Sequence, residues 1–298
     1  MPSSSAQASY RAPSIWRLGG LAAPQLAREV AAEIRAKNFL GRASELAFDF
    51  LFALFPLIVF MLSLFGIFAS RSVELQQDFL SYFSGPLPPL AFELLKKVTS
   101  DLANNASGGK LTLGILTALW FASGGVASMI SALNLTYQVR ESRSWIKVRL
   151  IALALTFSIS ILVFAALVLV LLSGHALDWF GALLGLRPIM ILVWKIAQWP
   201  AAILFVLVSY SLIYFYGPDL NSRWRWITPG SIFGTLVWLA GSAGFRIYLH
   251  FFNTYSASYN SLGAVMILLA WLYISGLAFL IGGEINGQIE RRLNFNRN

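Results

Sequence analysis

Long apolar runs alternate along this chain with short charged stretches. Six runs are of membrane-spanning length: 47–69, 111–133, 150–172, 189–216, 229–252 and 262–283. At about 1.5 Å rise per residue, each can cross a hydrocarbon layer of about 30 Å as an α-helix. The fourth is long enough that it must tilt, kink or protrude. Pro56 and Pro200 fall inside spans one and four, where each is expected to kink its helix. The pattern predicts an all-α polytopic membrane protein of six spans.

The segments around these runs have patterns of their own. Residues 24–40, PQLAREVAAEIRAKNFL, open with Pro24 and repeat Leu26, Val30, Ile34 and Phe39 at near-helical spacing among charged residues. This predicts an amphipathic helix within 24–44, lying on the membrane face. The stretch 70–110 holds VELQQDFLSYF and LAFELLKKVTSDL around SGPLPP, which predicts two short helices capping the opposite face. HALDWFGALLGL, 175–186, reads as a short surface segment on that face. The organisation expected is a disordered tail over 1–23, the interfacial helix, a membrane domain over 45–287 and a tail over 288–298.

Composition agrees. Of 298 residues, 57% are hydrophobic and 12% charged, about half the charged share of a soluble domain. Mean hydropathy is +0.69. With no cysteine, disulfide and thiol chemistry are excluded. The first twenty residues lack the apolar core of a cleavable signal peptide, so span one is expected to act as the targeting signal.

Charge changes the picture by giving an orientation. Of the 22 Lys and Arg residues, fifteen fall in the N-terminal segment, loops 134–149 and 217–228, and the C-terminal tail; five fall in the alternate loops. By the positive-inside rule both termini are expected to be cytoplasmic. The net charge of +9 is therefore assigned to anionic headgroups, worth about 1 kcal/mol per residue, rather than to nucleic acid. Partners expected are membrane lipids, with envelope proteins possible and the oligomeric state open.

Catalytic patterns are missing. The two histidines, His175 and His250, fit no metal-ligand spacing, and SGGKLT at 107–112 departs from a phosphate-binding loop at Ala103 and Leu111. No cofactor, metal or catalytic residue is expected, and the protein is expected not to be an enzyme.

Three stretches together resemble the YihY/BrkB family of bacterial inner-membrane proteins. They are ASELAFDFLFALFPLIVFMLSLFG (43–66), ALNLTYQVRESRSWIKVRL (132–150), and WRWITPGSIFGTLVWLAGSAGFRIYLHFF running on to YNSLGAVMILLAWLYISGLAFLIGGEIN (224–286). Asn260 departs from the family's glycine after tyrosine. The resemblance implies a six-helix membrane domain without an established enzymatic role. The family's older label, ribonuclease BN-like, finds no support in this chain's residues.

Candidate function rests on polar residues inside the spans. Arg246 and His250, four apart, share one face of span five; Thr235, Ser242 and Asn253 extend it into a stripe. Such a stripe points into a bundle or a water-filled cavity. Arg246 lies about 25 Å from the inner boundary and Lys195 roughly 9 Å below the outer one. The outer half is thus cationic, suited to a phosphate-bearing head, although Arg246 and Lys195 can equally snorkel to outer headgroups. The acids Asp49 and Glu284 fall near the cytoplasmic end, where Asn134, Tyr137 and Arg140 also lie.

The function expected is movement of an anionic lipid or lipid-like amphiphile across the bilayer. Arg246, His250, Lys195, Ser242 and Asn253 would line the cavity. Asp49, Glu284, Asn134, Tyr137 and Arg140 would gate or couple it. The competing readings are a non-transporting scaffold of an envelope complex and, behind that, a ribonuclease.

Overall fold

A run of apolar residues in lipid must satisfy its own backbone hydrogen bonds, and a helix does so within the segment. The computed structural model describes residues 15–69, 109–171, 187–220, 227–251 and 254–295, with the single helical positions 77, 80, 81, 96 and 100. Among these residues the regular structure is entirely helical. A 3-10 helix, Ile15–Gly20, precedes α1 (Ala23–Ala36), α2 (Phe39–Ala69), α3 (Gly109–Tyr137), α4 (Trp145–Leu171), α5 (Arg187–Tyr216), α6 (Pro229–Phe251) and α7 (Thr254–Phe295).

Each expected span coincides with one of α2 to α7. Helices α2, α3 and α7 run on past their apolar stretches at the end carrying Lys37, Tyr137 and Arg291. In α2 and α7 charged residues such as Arg42, Glu45, Glu284 and Arg291 end the hydropathy signal without ending the helix, whereas α3 continues through the uncharged Asn134, Leu135, Thr136 and Tyr137. Among the described residues, five helices, α2, α3, α4, α5 and α7, are long and apolar enough to cross a membrane. Helix α6, with 23 residues, interleaves Ser231, Thr235, Ser242 and Arg246 among its apolar positions. Helices α2 and α5 continue through Pro56 and Pro200. The short helices expected over 70–110 lie outside the described residues apart from the single positions, and the segment 175–186 lies outside them altogether.

Helix α7 is the central element, touching α1, α2, α3, α5 and α6. Around it α2 packs on α3, α3 on α4, α4 on α5 and α5 on α6. The main core joins Phe39, Leu46, Leu133, Tyr214, Phe279 and Leu280. Tyr214 stacks on Phe279 with ring centroids 5.2 Å apart, and its hydroxyl donates to the Phe279 carbonyl at 2.7 Å. That bond satisfies a polar atom which would otherwise be costly to bury. Outward-facing Phe48, Phe52 and Phe55 on α2 and Ile196 and Trp199 on α5 are exposed, as an acyl-facing surface requires.

Two local features set the first helix. Asn38 adopts φ 50°, a left-handed conformation that asparagine tolerates better than most residues, and it breaks α1 from α2. Its side-chain oxygen accepts from the Gly41 amide at 3.3 Å, capping α2. The amphipathic helix therefore ends at Ala36. Its Leu26 and Val30 pack against Ile285, Ile289 and Leu293 of α7, so its apolar stripe is covered by protein. Arg292 donates to Glu29 at 3.0 Å beside this contact.

Candidate functional site

Ionisable side chains gather where α3 ends. Helix α3 closes with Gln138 at φ 57° and a bond from the Val139 amide to the Asn134 carbonyl at 2.9 Å, leaving other terminal carbonyls to external donors. Lys37 Nζ donates to the Thr136 carbonyl at 3.0 Å and Arg291 Nη1 donates to it at 2.8 Å. Both cations also hold Glu284, Lys37 at 2.7 Å from Oε2 and Arg291 at 2.7 Å from Oε1, and Gln288 donates to Oε1 at 3.2 Å. Glu33 lies 3.1 Å from Lys37. The Glu284 side chain is 0% exposed. Two carboxylates and two cations form a balanced cluster at the negative end of the α3 dipole. It ties the α1–α2 break and the end of α7 to α3.

A second network joins the loops after α3 and α5. Arg143 donates from Nε to Glu141 Oε1 and from Nη2 to Oε2, both at 2.7 Å, and Nη2 also reaches the Gly217 carbonyl at 2.7 Å. Asn134 donates to Glu141 at 2.7 Å and accepts from the Asp219 amide at 2.9 Å. The Ser142 amide donates to Asp219 at 2.8 Å. The Arg143 hydrogen bonds hold the Glu141 carboxyl below its ordinary range, and those from Ser142 do the same for Asp219. Glu141 in turn raises the Arg143 guanidinium above its ordinary value.

The start of α6 is fixed at the same end. Thr228 and Ser231 cap one another through reciprocal amide-to-hydroxyl bonds of 3.0 and 3.1 Å. Asn286 of α7 accepts from the Gly230 amide and donates to Thr228, both at 2.9 Å. Gly230 meets α7 so closely that a methyl group there would overlap the Gly282 carbonyl oxygen. Glycine permits that approach of two backbones. These contacts put the α1–α2 break, both loops and the end of α7 on one side of the bundle, as the distribution of basic residues requires.

Two cavities flank the seam between α2 and α3. A polar one of about 360 Å³ is lined by Arg42, Glu45, Asp49, Ser128, Ser131 and Asn134, with Leu46 and Ala132 at the seam. Arg42 and Glu45 pair at 2.8 Å. Asp49, half-buried, has no hydrogen-bond or ion-pair partner among the described residues. An apolar cavity of about 320 Å³ lies among α2, α3, α4, α5 and α7, lined by Phe50, Leu57, Met129, Ile159, Tyr210 and Leu272. Ala53 and Gly125 border it on the seam, each two helical turns, about 10 Å, deeper than Leu46 and Ala132. A Cβ on Gly125 would lie 3.0 Å from that of Ala53. The absent side chain is what lets the helices close there.

The sequence-predicted residues are distributed unevenly over this geometry. Glu284 and Asn134 are buried in the two networks, and Tyr137 is buried as well. Asp49 lines the polar cavity, and Arg140 is exposed. Along α6, Thr235 is buried, and the Ser242 hydroxyl accepts from the Trp271 indole of α7 at 3.4 Å. Arg246 is exposed and lines neither cavity. The Lys195 and His250 side chains and Asn253 lie outside the described residues. Sequence reasoning missed Lys37, Arg291, Glu141, Asp219 and Asn286. Their partners lie on other helices or loops, or across a cap, and no local period marks them.

A family profile described as virulence factor BrkB matches residues 30–298, spanning every helix of the bundle. The chain belongs to the BrkB family. Among curated proteins it is similar to the putative ribonuclease-like protein YfkH of Bacillus subtilis (strain 168), with 33% identity over 252 residues, 85% of this chain and 90% of that one. It is also similar to a UPF0761 membrane protein of Tolumonas auensis, with 25% identity over 264 residues, 85% of this chain and 81% of that one. A UPF0761 membrane protein of Alkalilimnicola ehrlichii shares 26% over 265 residues, 86% of this chain and 56% of that one. No solved structure matches. Family membership and the apolar helices make this a multi-pass membrane protein of the BrkB type.

Proposed function

We propose that this BrkB-family protein is a carrier, not an enzyme, that moves a phosphate-bearing lipid-like amphiphile between the leaflets of a bacterial inner membrane. The observation that carries the reading is that a polar and an apolar cavity both flank the seam between α2 and α3. An amphiphile needs both: somewhere wet for its head and somewhere dry for its chain. In this reading the side rich in Lys and Arg faces the cytoplasm, and the polar cavity opens at the inner headgroup level. The cationic residues toward the opposite face, Lys195, Arg246 and His250, receive the phosphate there. Gly125 and Ala53 let α2 and α3 part and close as the head passes.

The test is leaflet exchange in liposomes holding the full-length protein, with a labelled phospholipid quenched from outside. Labelled lipid should become quenchable beyond the outer-leaflet share, and Gly125→Leu, which wedges the seam, should slow this strongly. Exchange no faster than in protein-free vesicles overturns the reading. Exchange untouched by both Arg246→Ala and Lys195→Ala removes the outer contacts from it.

A further inference from the structure

We infer that the polar cavity between α2 and α3 binds the ammonium of a zwitterionic phospholipid head, with Asp49 as its counter-ion. This rests on the carrier reading and names the class of head it takes. Asp49 lies within the segment of α2, Phe39–Met61, that is long and apolar enough to cross a membrane. A carboxylate at such a position costs several kcal/mol unless it is paired or hydrated. Yet it has no protein partner among the described residues. The other charges of the cavity do not answer it, because Arg42 is held by Glu45. The remaining polar walls are neutral, and Asn134 is already committed to Glu141 and Asp219. One unit of negative charge is left facing the space.

The shape of the surroundings favours a lipid-borne ammonium over a bare metal ion. Hard divalent cations gather six or more oxygens, several of them carboxylates. This cavity offers one unpaired carboxylate with the hydroxyls of Ser128 and Ser131, which suits three N–H donors. Arg42 sits two turns before Asp49 on the same face of α2 and spends Nη1 on Glu45, leaving further guanidinium donors for a phosphate. The apolar cavity deeper along the seam accepts an acyl chain, and its volume is within the range of ligand pockets, about 300–1,000 Å³. Phosphate, ammonium and chain thus have separate partners in one region.

The experiment reads lipid retention by native mass spectrometry of the full-length protein in nanodiscs of equal ethanolamine, choline and glycerol phospholipids. The ethanolamine lipid should be enriched about tenfold over both others, as one charge-assisted hydrogen bond provides. Asp49→Asn should abolish the enrichment and Asp49→Glu should keep it, with both variants eluting as the parent protein does. Ethanolamine lipid should also protect Asp49 from carbodiimide labelling. Equal retention of the three lipids overturns the inference, and so does equal protection by magnesium alone. Leaflet exchange that ignores head type and the Asp49→Asn change sinks it while the carrier reading survives. Enrichment without any exchange supports the site and removes the carrier reading.

Discussion

The Lys37 ammonium lies 2.7 Å from a carboxylate oxygen of Glu284, a residue with no exposed surface and 247 positions away in sequence. Arg291 holds the other oxygen at the same distance. Replacing Glu284 by leucine leaves Arg291 without its carboxylate and Lys37 with only Glu33, and removing one partner of such a buried pair typically costs about 3–5 kcal/mol. Thermal unfolding in detergent should show a large drop for Glu284→Leu. Arg42→Gln, which breaks an exposed pair, should cost less than about 1 kcal/mol. Equal shifts in the two variants would contradict this account of the cluster.

Gly230 is expected to tolerate no side chain. An alanine methyl would meet the Gly282 carbonyl and the Asn286 amide, both of which belong to α7. Overpacking of this kind costs about 1–3 kcal/mol. Gly230→Ala should lower the unfolding temperature, whereas Gly244→Ala, where nothing lies within 4 Å of the added carbon, should leave it nearly unchanged.

The loop network should loosen in acid. Arg143 holds Glu141 below its ordinary value of 4.5, and Ser142 holds Asp219 below 3.8. A folded state with depressed carboxyl pKa values binds protons less readily than the unfolded chain. Its stabilisation is full above those ordinary values and is lost as pH falls through the lower folded ones. The unfolding temperature of the parent protein should therefore fall more steeply from about pH 5 to about pH 3 than that of Asp219→Asn. Parallel curves would show that the network does not contribute.

Asn286 should matter beyond its own helix. It pins the first turn of α6 by accepting from Gly230 and donating to Thr228. Asn286→Ala leaves a buried amide without its acceptor, a loss of about 1–3 kcal/mol. Hydrogen exchange at Gly230 should accelerate by roughly tenfold or more per 1.4 kcal/mol lost. An unchanged rate there would argue against the pin.

The bundle was legible because hydrophobic runs report helices directly, and the expected spans fall on α2 to α7. Charge placement also put the right loops on one side. What the sequence hid was pairing. Asp49 and Glu284 look alike as acids near one end, but tertiary contacts give Glu284 two cations and, among the described residues, leave Asp49 with none. Likewise the polar stripe of span five divides. Thr235 and Ser242 turn to α7 or their own helix, whereas Arg246 faces outward. A helical wheel gives the angular position of a residue but not which neighbour occupies that angle.

The packing of Leu26 and Val30 against Ile285 and Ile289 carries a consequence for biosynthesis. The α1 surface leaves the ribosome well before the α7 surface that covers it. Until α7 is inserted, the first helix has only the lipid surface or a chaperone to shelter its oily side. This contact can thus close only after α7 has been made and has claimed the helix that waited for it.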